Sequence, residues 1–241
     1  MIKTVLILLL ALPALGAVPW EKPPEKWNLA DVYRILQDSP WCPAQEKLEA
    51  KAGPRQENSR TGMVTDSDSP IDSNQTTPVP SVQVIRKPEL AVPVLWWSSK
   101  TIRLAAARLL QLRSSGPAKQ PPHVDDLPDY VLAIEGSDPL RILHDAKEDL
   151  HDTVFLELPD GTTLDLASVQ FVDGTGEQEA RAEFHFPRLV DGQPTIDPTA
   201  QYVILHCKAT AKTPRPFENN TLAIRAEFKL QTMRVHGALD L

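Results

Sequence analysis

The sequence predicts an α+β fold: a mainly antiparallel β-sandwich or curved sheet with one long helix, preceded by an N-terminal helical segment. Three observations predict it. About eight short alternating or apolar runs lie between residue 81 and the last residue, and most are joined by turn chemistry rather than helices. One strong amphipathic stripe occupies residues 102–110. A second, shorter stripe near the N-terminus is set apart by residues 51–80, which have almost no apolar periodicity.

The chain opens on Lys3, an unbroken apolar run from Val5 to Leu12, a break at Pro13, and the small residues of Ala14-Leu15-Gly16-Ala17. This is the pattern of a secretory signal peptide over residues 1–17. Its apolar run is too short to cross a hydrocarbon layer of ~30 Å. The sequence therefore places the mature protein in the periplasm or outside the cell, with no integral membrane span after cleavage.

Residues 18–50 form a Trp-flanked segment. Residues 18–27 are interrupted by proline and read as extended. Asn28 then fits a helix N-cap with Asp31 at the third helical position. Leu29, Val32, Tyr33 and Leu36 recur at helical spacing, which predicts a helix over about 29–38. Ser39-Pro40 stops it, since the residue before proline avoids helical geometry. Residues 51–80 are polar and turn-rich, and are expected to form a disordered linker because they offer too little apolar surface to offset ordering entropy.

The remaining domain, residues 81–241, begins with strand patterns at Ser81–Ile85 and Val92–Trp97, where Pro93 demotes the second toward an edge or a strand start. Ser98 or Ser99 caps the firm helix, whose stripe is Ile102, Ala105, Ala106, Leu109 and Leu110. Ser114-Ser115-Gly116-Pro117 ends it. Tyr130–Ile134 reads as a buried strand. Ser137-Asp138-Pro139 starts a weaker helix, with proline at the first helical position. Val154–Leu158 alternates, Asp160-Gly161 supplies a hairpin turn, and Leu164–Val172 returns as one strand or two. Asp173–Gly176 is a second turn. Ala180–Phe186, Tyr202–Cys207, Leu222–Leu230 and Val235–Leu241 complete the strand patterns.

Charge excludes some partners. The chain has 25 basic and 32 acidic residues, a net of −7, and loses one further positive charge if Lys3 leaves with the signal. Nucleic acid and anionic membrane surfaces reward clustered lysine and arginine, so neither is expected as a partner. The 23 prolines against 10 glycines point to stiff turns and extended connections.

No motif announces a catalytic centre or a cofactor. There is no G-x-S-x-G elbow, phosphate loop or dinucleotide fingerprint. A Ser-His-Asp arrangement is spatial and leaves no spacing to read. His144 and His151 are seven residues apart in an acidic stretch; a metal site there needs a continuous helix and a carboxylate. His185 shares a strand face with Glu183, and His206 shares one with Tyr202, so pairing of those strands would assemble a His/His/Glu cluster. Arg188 follows a strand-ending proline and could grip a ligand or pair a local carboxylate.

Cys42 and Cys207 are the two cysteines. They are a candidate disulfide in an oxidising compartment, although the alternation of Tyr202–Cys207 puts Cys207 on the face of Val203 and Leu205, as a buried free thiol would be. All five tryptophans precede residue 98. Trp20, Trp27 and Trp41 bracket the first helix. They are candidate anchors for an envelope protein partner, unless they dock on the chain's own β domain.

Several short motifs carry a resemblance: Trp27…Asp31-Val32…Ile35-Leu36…Ser39-Pro40-Trp41, then Trp96…Ala105 with Arg108, then Phe184-His185-Phe186-Pro187-Arg188, then Phe228…Met233…Gly237…Leu239. In that order they resemble a group of exported bacterial proteins of uncharacterised activity, of the kind seen in acidobacteria. The resemblance implies an extracytoplasmic bacterial protein and transfers no catalytic residues. Cys42 departs from that group's small residue after Ser-Pro-Trp, which weakens the case for a structural disulfide. The expectation is a non-enzymatic binding or structural role in the cell envelope, with an extracytoplasmic hydrolase of scattered site residues as the alternative.

Overall fold

Asn28 starts helix α1 (Leu29–Gln37) with a reciprocal cap. Its Oδ1 accepts from the Asp31 N–H at 2.9 Å, and Asp31 Oδ2 accepts from the Asn28 N–H at 3.3 Å. The computed structural model describes residues 18–43, 92–114, 122–175, 179–216 and 218–241, all within one compact unit. The signal peptide, the linker at 51–80 and the strand expected at Ser81–Ile85 lie outside the described residues.

The buried face of α1 differs from the expected stripe. Val32 and Ile35 are fully buried, whereas Leu29 and Tyr33 are exposed. The reason is α2 (Lys100–Arg113), which packs along α1 and selects the 32/35 side. Tyr33 is left at the margin, where its hydroxyl accepts from Arg113 Nη2 at 2.8 Å.

Ser99 caps α2, and Asp240 completes that cap from the far end of the sequence. Its carboxylate accepts from Ser99 Oγ at 2.7 Å, from the Lys100 N–H at 2.8 Å and from the Thr101 N–H at 2.9 Å. Its carbonyl accepts from the Trp41 indole N–H at 2.6 Å. One residue thus ties the N-terminal segment and the start of α2 to the final strands.

Two four-stranded antiparallel sheets follow. The strands in chain order are β1 (Val94–Trp96), β2 (Asp129–Glu135), β3 (Val154–Glu157), β4 (Thr163–Asp165), β5 (Ser168–Val172), β6 (Arg181–Pro187), β7 (Leu189–Val190), β8 (Gln193–Pro194), β9 (Tyr202–Thr210), β10 (Thr221–Lys229), β11 (Arg234–Val235) and β12 (Ala238–Leu239). The first sheet runs β1-β2-β6-β5 and the second β10-β9-β3-β4; β7–β8 and β11–β12 are separate two-stranded hairpins. Helices α3 (Ser137–Asp145) and α4 (Leu150–Thr153) connect β2 to β3. The fold is therefore α+β with antiparallel sheets, and among the described residues no helix is long and apolar enough to cross a membrane.

The stretch Leu164–Val172 is two strands in different sheets: β4 pairs with β3, while β5 pairs with β6. Leu166 and Ala167 make the crossing, with Leu166 buried and the Ala167 N–H bonded to the His185 carbonyl at 2.8 Å. Val235–Leu241 is not one strand either. It turns back at His236 and Gly237, whose positive φ values of 48° and 80° form the β11–β12 turn.

Both sheets contribute to one core. Trp96 on β1 meets Phe228 on β10 edge-on, at 5.0 Å between ring centres, and Tyr130 on β2 at 5.9 Å. Trp27 and Trp41 belong to the same core, and Trp20 packs against it with its ring 5.6 Å from that of Trp41. The Trp27 indole N–H bonds the Pro19 carbonyl at 2.8 Å. Trp27 and Trp41 thus dock on the chain's own core, one of the two roles the sequence left open, while Trp20 is half-buried at its edge.

The candidate disulfide is not formed; Cys42 and Cys207 are both free, buried thiols. Cys207 sits in the middle of the second sheet between Val154 and Ile224. Cys42 is tied to the end of α1 by its pairing with Ser39. Both lie in the shared core, held by different parts of the chain. Burial pushes both thiols up to about 12, and at Cys42 the carboxylates of Glu135 and Asp38 add to the effect. Reaction with Ellman's reagent at pH 8 should be at least about 100-fold slower in the native protein than in the unfolded chain, because the thiolate is the reactive form. Rapid titration of either thiol without denaturant would contradict this packing.

Candidate functional site

The strand alternation of β2 and β6 separates two kinds of chemistry. Tyr130, Leu132 and Ile134 face the core with Ala182, Phe184 and Phe186, while Asp129, Glu135, Arg181, Glu183 and His185 line the other face around the buried Val131 and Ala133. Where β2 begins and β6 ends, the two meet in a cleft.

Arg188, immediately after β6, anchors this cleft. Its Nε donates to the Leu127 carbonyl at 3.1 Å, its Nη2 donates to the Leu241 oxygen at 2.6 Å, and its guanidinium lies 4.5 Å from the centre of the Tyr130 ring. Burial raises the pKa of the Tyr130 hydroxyl, and Arg188 partly offsets this. The cleft measures about 540 Å³ and is walled by Lys100, Asp126, Tyr130, Arg188, Ile196 and Asp240. A second hollow of about 490 Å³ shares Tyr130, Arg188 and Pro194 and reaches Asp129 and Leu189. Leu189 and Val190, on the β7–β8 hairpin, are the most exposed large apolar side chains among the described residues, at 59% and 50%. Lys100 pairs with Asp126 at 2.9 Å and holds that carboxyl below its ordinary range.

From Asp129 a charged row runs along the outer face of the first sheet. Asp129 Oδ2 lies 3.4 Å from His185 Nδ1. His185 Nε2 is 3.7 Å from Glu183 Oε2 and has no hydrogen-bond partner among the described residues. Glu183 Oε1 accepts from Arg181 Nε at 2.6 Å, and the Arg181 guanidinium lies 4.1 Å over Trp97. Ser168 on β5 is directly opposite His185. The row ends at Glu135, opposite Arg181.

Burial pushes the Glu135 carboxyl up to about 7; Glu179 adds repulsion and Arg181 partly offsets it. A raised carboxyl costs stability when it ionises. That cost is absent below the unfolded value near pH 4.5, grows between there and pH 7, and is complete above. Glu135→Gln should therefore stabilise the protein at pH 8 by roughly 1–3 kcal/mol and change little at pH 4. Urea midpoints at the two pH values check this; equal shifts at both would refute it.

The strand pairing that a His185/His206/Glu183 cluster would need does not occur, because β6 and β9 belong to different sheets. His206 Nε2 bonds Glu157 Oε2 at 2.6 Å and stacks on Phe155 at 4.8 Å. His144 packs edge-on to Phe171, and His151 Nδ1 lies 3.2 Å from the Leu166 carbonyl. The described residues contain no group of three or more ligating side chains placed to hold a metal. Arg188 binds the main-chain oxygens of Leu127 and Leu241. Tyr130, Asp129 and Ser168 join the site through strand register, which no local spacing reveals.

Comparison with protein-family models, with curated proteins and with solved structures finds no match to this chain.

Proposed function

We propose that this is an exported binding protein of the bacterial envelope, and that its ligand sits in the Tyr130–Arg188 cleft. The observation that carries this reading is the prefixed Arg188. Two backbone oxygens and the Tyr130 face hold the guanidinium in place, so a ligand meets a rigid platform and little ordering cost remains. The apolar Leu189–Val190 rim and the Lys100–Asp126 pair favour a ligand with both apolar and polar surface, such as an extended peptide segment. The two sheets, sharing one core, would stand as the faces of a sandwich behind it. Export is supported by Lys3, Val5–Leu12 and Ala14–Ala17, and N-terminal sequencing of the secreted protein should begin at Ala17 or Val18. An intact Met1 in the membrane pellet would overturn export.

A pooled hexapeptide library titrated into ¹⁵N-labelled protein should shift amides of residues 127–130, 188–196 and 239–241. Shifts confined to other surfaces, or no shifts at millimolar peptide, would overturn the assignment.

One observation favours the alternative of hydrolysis. Asp129, His185 and Ser168 lie on one face: His185 Nδ1 is 3.4 Å from Asp129, Ser168 is its register partner on β5, and His185 Nε2 has no hydrogen-bond partner among the described residues. Turnover of p-nitrophenyl acetate that is lost in Ser168→Ala, with folding unchanged, would replace the binding reading by this one.

A further inference from the structure

Strand β10 is the longest sheet edge among the described residues, and neither proline nor shortness blunts it. It forms one side of the second sheet, and among the described residues it pairs only with β9. The other sheet edges are shorter. β1 and β4 have three residues each and β5 has five, against nine in β10. The Trp41 carbonyl also covers β1 by accepting from the Trp96 N–H at 2.8 Å. β10, Thr221-Leu222-Ala223-Ile224-Arg225-Ala226-Glu227-Phe228-Lys229, contains no proline or glycine. An edge of this length presents a row of backbone donors and acceptors that templates another strand.

The side chains state which strand. Leu222, Ile224, Ala226 and Phe228 are buried on the core face, and Arg225 and Glu227 are half-buried on the other. A two-fold axis perpendicular to the sheet keeps each face on its own side, so residues directly opposite are fixed by the residue on the axis. With Ala226 on the axis, residues 223–229 of both strands pair. Arg225 then faces Glu227 of the partner subunit, and the reverse pair repeats it. Ile224 faces Phe228 of the partner subunit on the core side, and the smallest core-facing side chain lies at the centre. With Arg225 or Glu227 on the axis, like charges face each other; with Phe228 on it, only residues 227–229 overlap; with Ile224 on it, residues 221–227 pair but Arg225 faces Ala223 and Glu227 faces Thr221, so no opposite charges meet. Opposite charges directly across an antiparallel pair stabilise it and like charges weaken it.

We infer that β10 is the seat of a symmetric dimer, in which a second copy of this chain pairs antiparallel about Ala226 and joins the two second sheets into one. The outer-face row of Phe155, His206 and Arg225 then continues into the second copy. The interface is isologous, so it closes at two copies and uses up the edge that would otherwise propagate.

Sedimentation of the purified protein between 1 and 100 µM tests this. The expected result is a concentration-dependent species of twice the chain mass. Glu227→Arg sets arginine opposite arginine twice and should raise the dimer dissociation constant at least about tenfold. The double variant Arg225→Glu/Glu227→Arg restores opposite charges and should restore the dimer. Hydrogen exchange on the unmodified protein reads the same interface without relying on a variant's folding: β10 amides should gain protection as concentration rises. A monomer at every concentration, a dimer indifferent to Glu227→Arg, or β10 exchange independent of concentration would each overturn the inference.

Discussion

Replacing Trp41 with alanine should destabilise the protein by about 3–5 kcal/mol, the range for emptying a fully buried large aromatic site. Trp41 is 0% exposed and lies in the shared core. Three contacts depend on its ring: the core packing, the edge-on meeting with Trp20, and the 2.6 Å bond to the Asp240 carbonyl. The melting temperature should fall by roughly 10 °C, given ~2–4 °C per kcal/mol for a domain of this size. Trp41→Phe keeps most of the packing and loses the indole N–H, so it should cost less than half as much. The same comparison decides what the tryptophans are for. A partner anchor would leave the melting curve of Trp41→Ala within about 2 °C of the parent, and that outcome would return the ring to the interface role.

Replacing Asp240 with alanine should cost about 2–3 kcal/mol. Single N-cap removals cost ~0.5–2 kcal/mol, and hydrogen bonds to a charged group contribute ~1.5–3 kcal/mol. Here one carboxylate serves Ser99 Oγ and two backbone N–H groups at the start of α2, where the helix dipole also favours negative charge. Asp240→Asn retains one side-chain oxygen and should lose about half as much. Chemical denaturation of the three proteins gives the ranking. Equal stability of Asp240→Ala and the parent would show that water or Ser99 alone caps the helix.

How much was legible in the sequence follows from which signals are local. The Asn28–Asp31 cap, the stop at Pro40, the Ser99 cap, the buried run of β2, the alternation of β6 and β9 and the strand at β10 are properties of neighbouring residues, and they appear where the residues place them. The pairing partners were not legible. Nothing in Leu164–Val172 says that the chain leaves one sheet and enters another at Leu166, because both halves alternate alike. Helix α1 shows the same limit: several apolar faces were available, and α2 chose the one bearing Val32 and Ile35. The cleft depends on Tyr130 meeting Arg188 across a strand pair, and the charged row on Asp129, Glu183, His185 and Ser168 arriving from three strands. Arg188 was visible as an oddity after Pro187, but its partners, the oxygens of Leu127 and Leu241, are remote in the chain.

The bond between Trp41 and Asp240 spans 199 positions, and that separation orders events in time. Contacts between neighbours form early, whereas the entropy of closing a long loop is met before a remote contact returns anything. The two sheets can collapse while residues 18–43 are still loose, so docking of α1 belongs after the rate-limiting barrier. Variants at Trp41 should accelerate unfolding and leave the refolding rate almost untouched, and a chain still emerging would hold its first tryptophans uncovered until its last strands arrive.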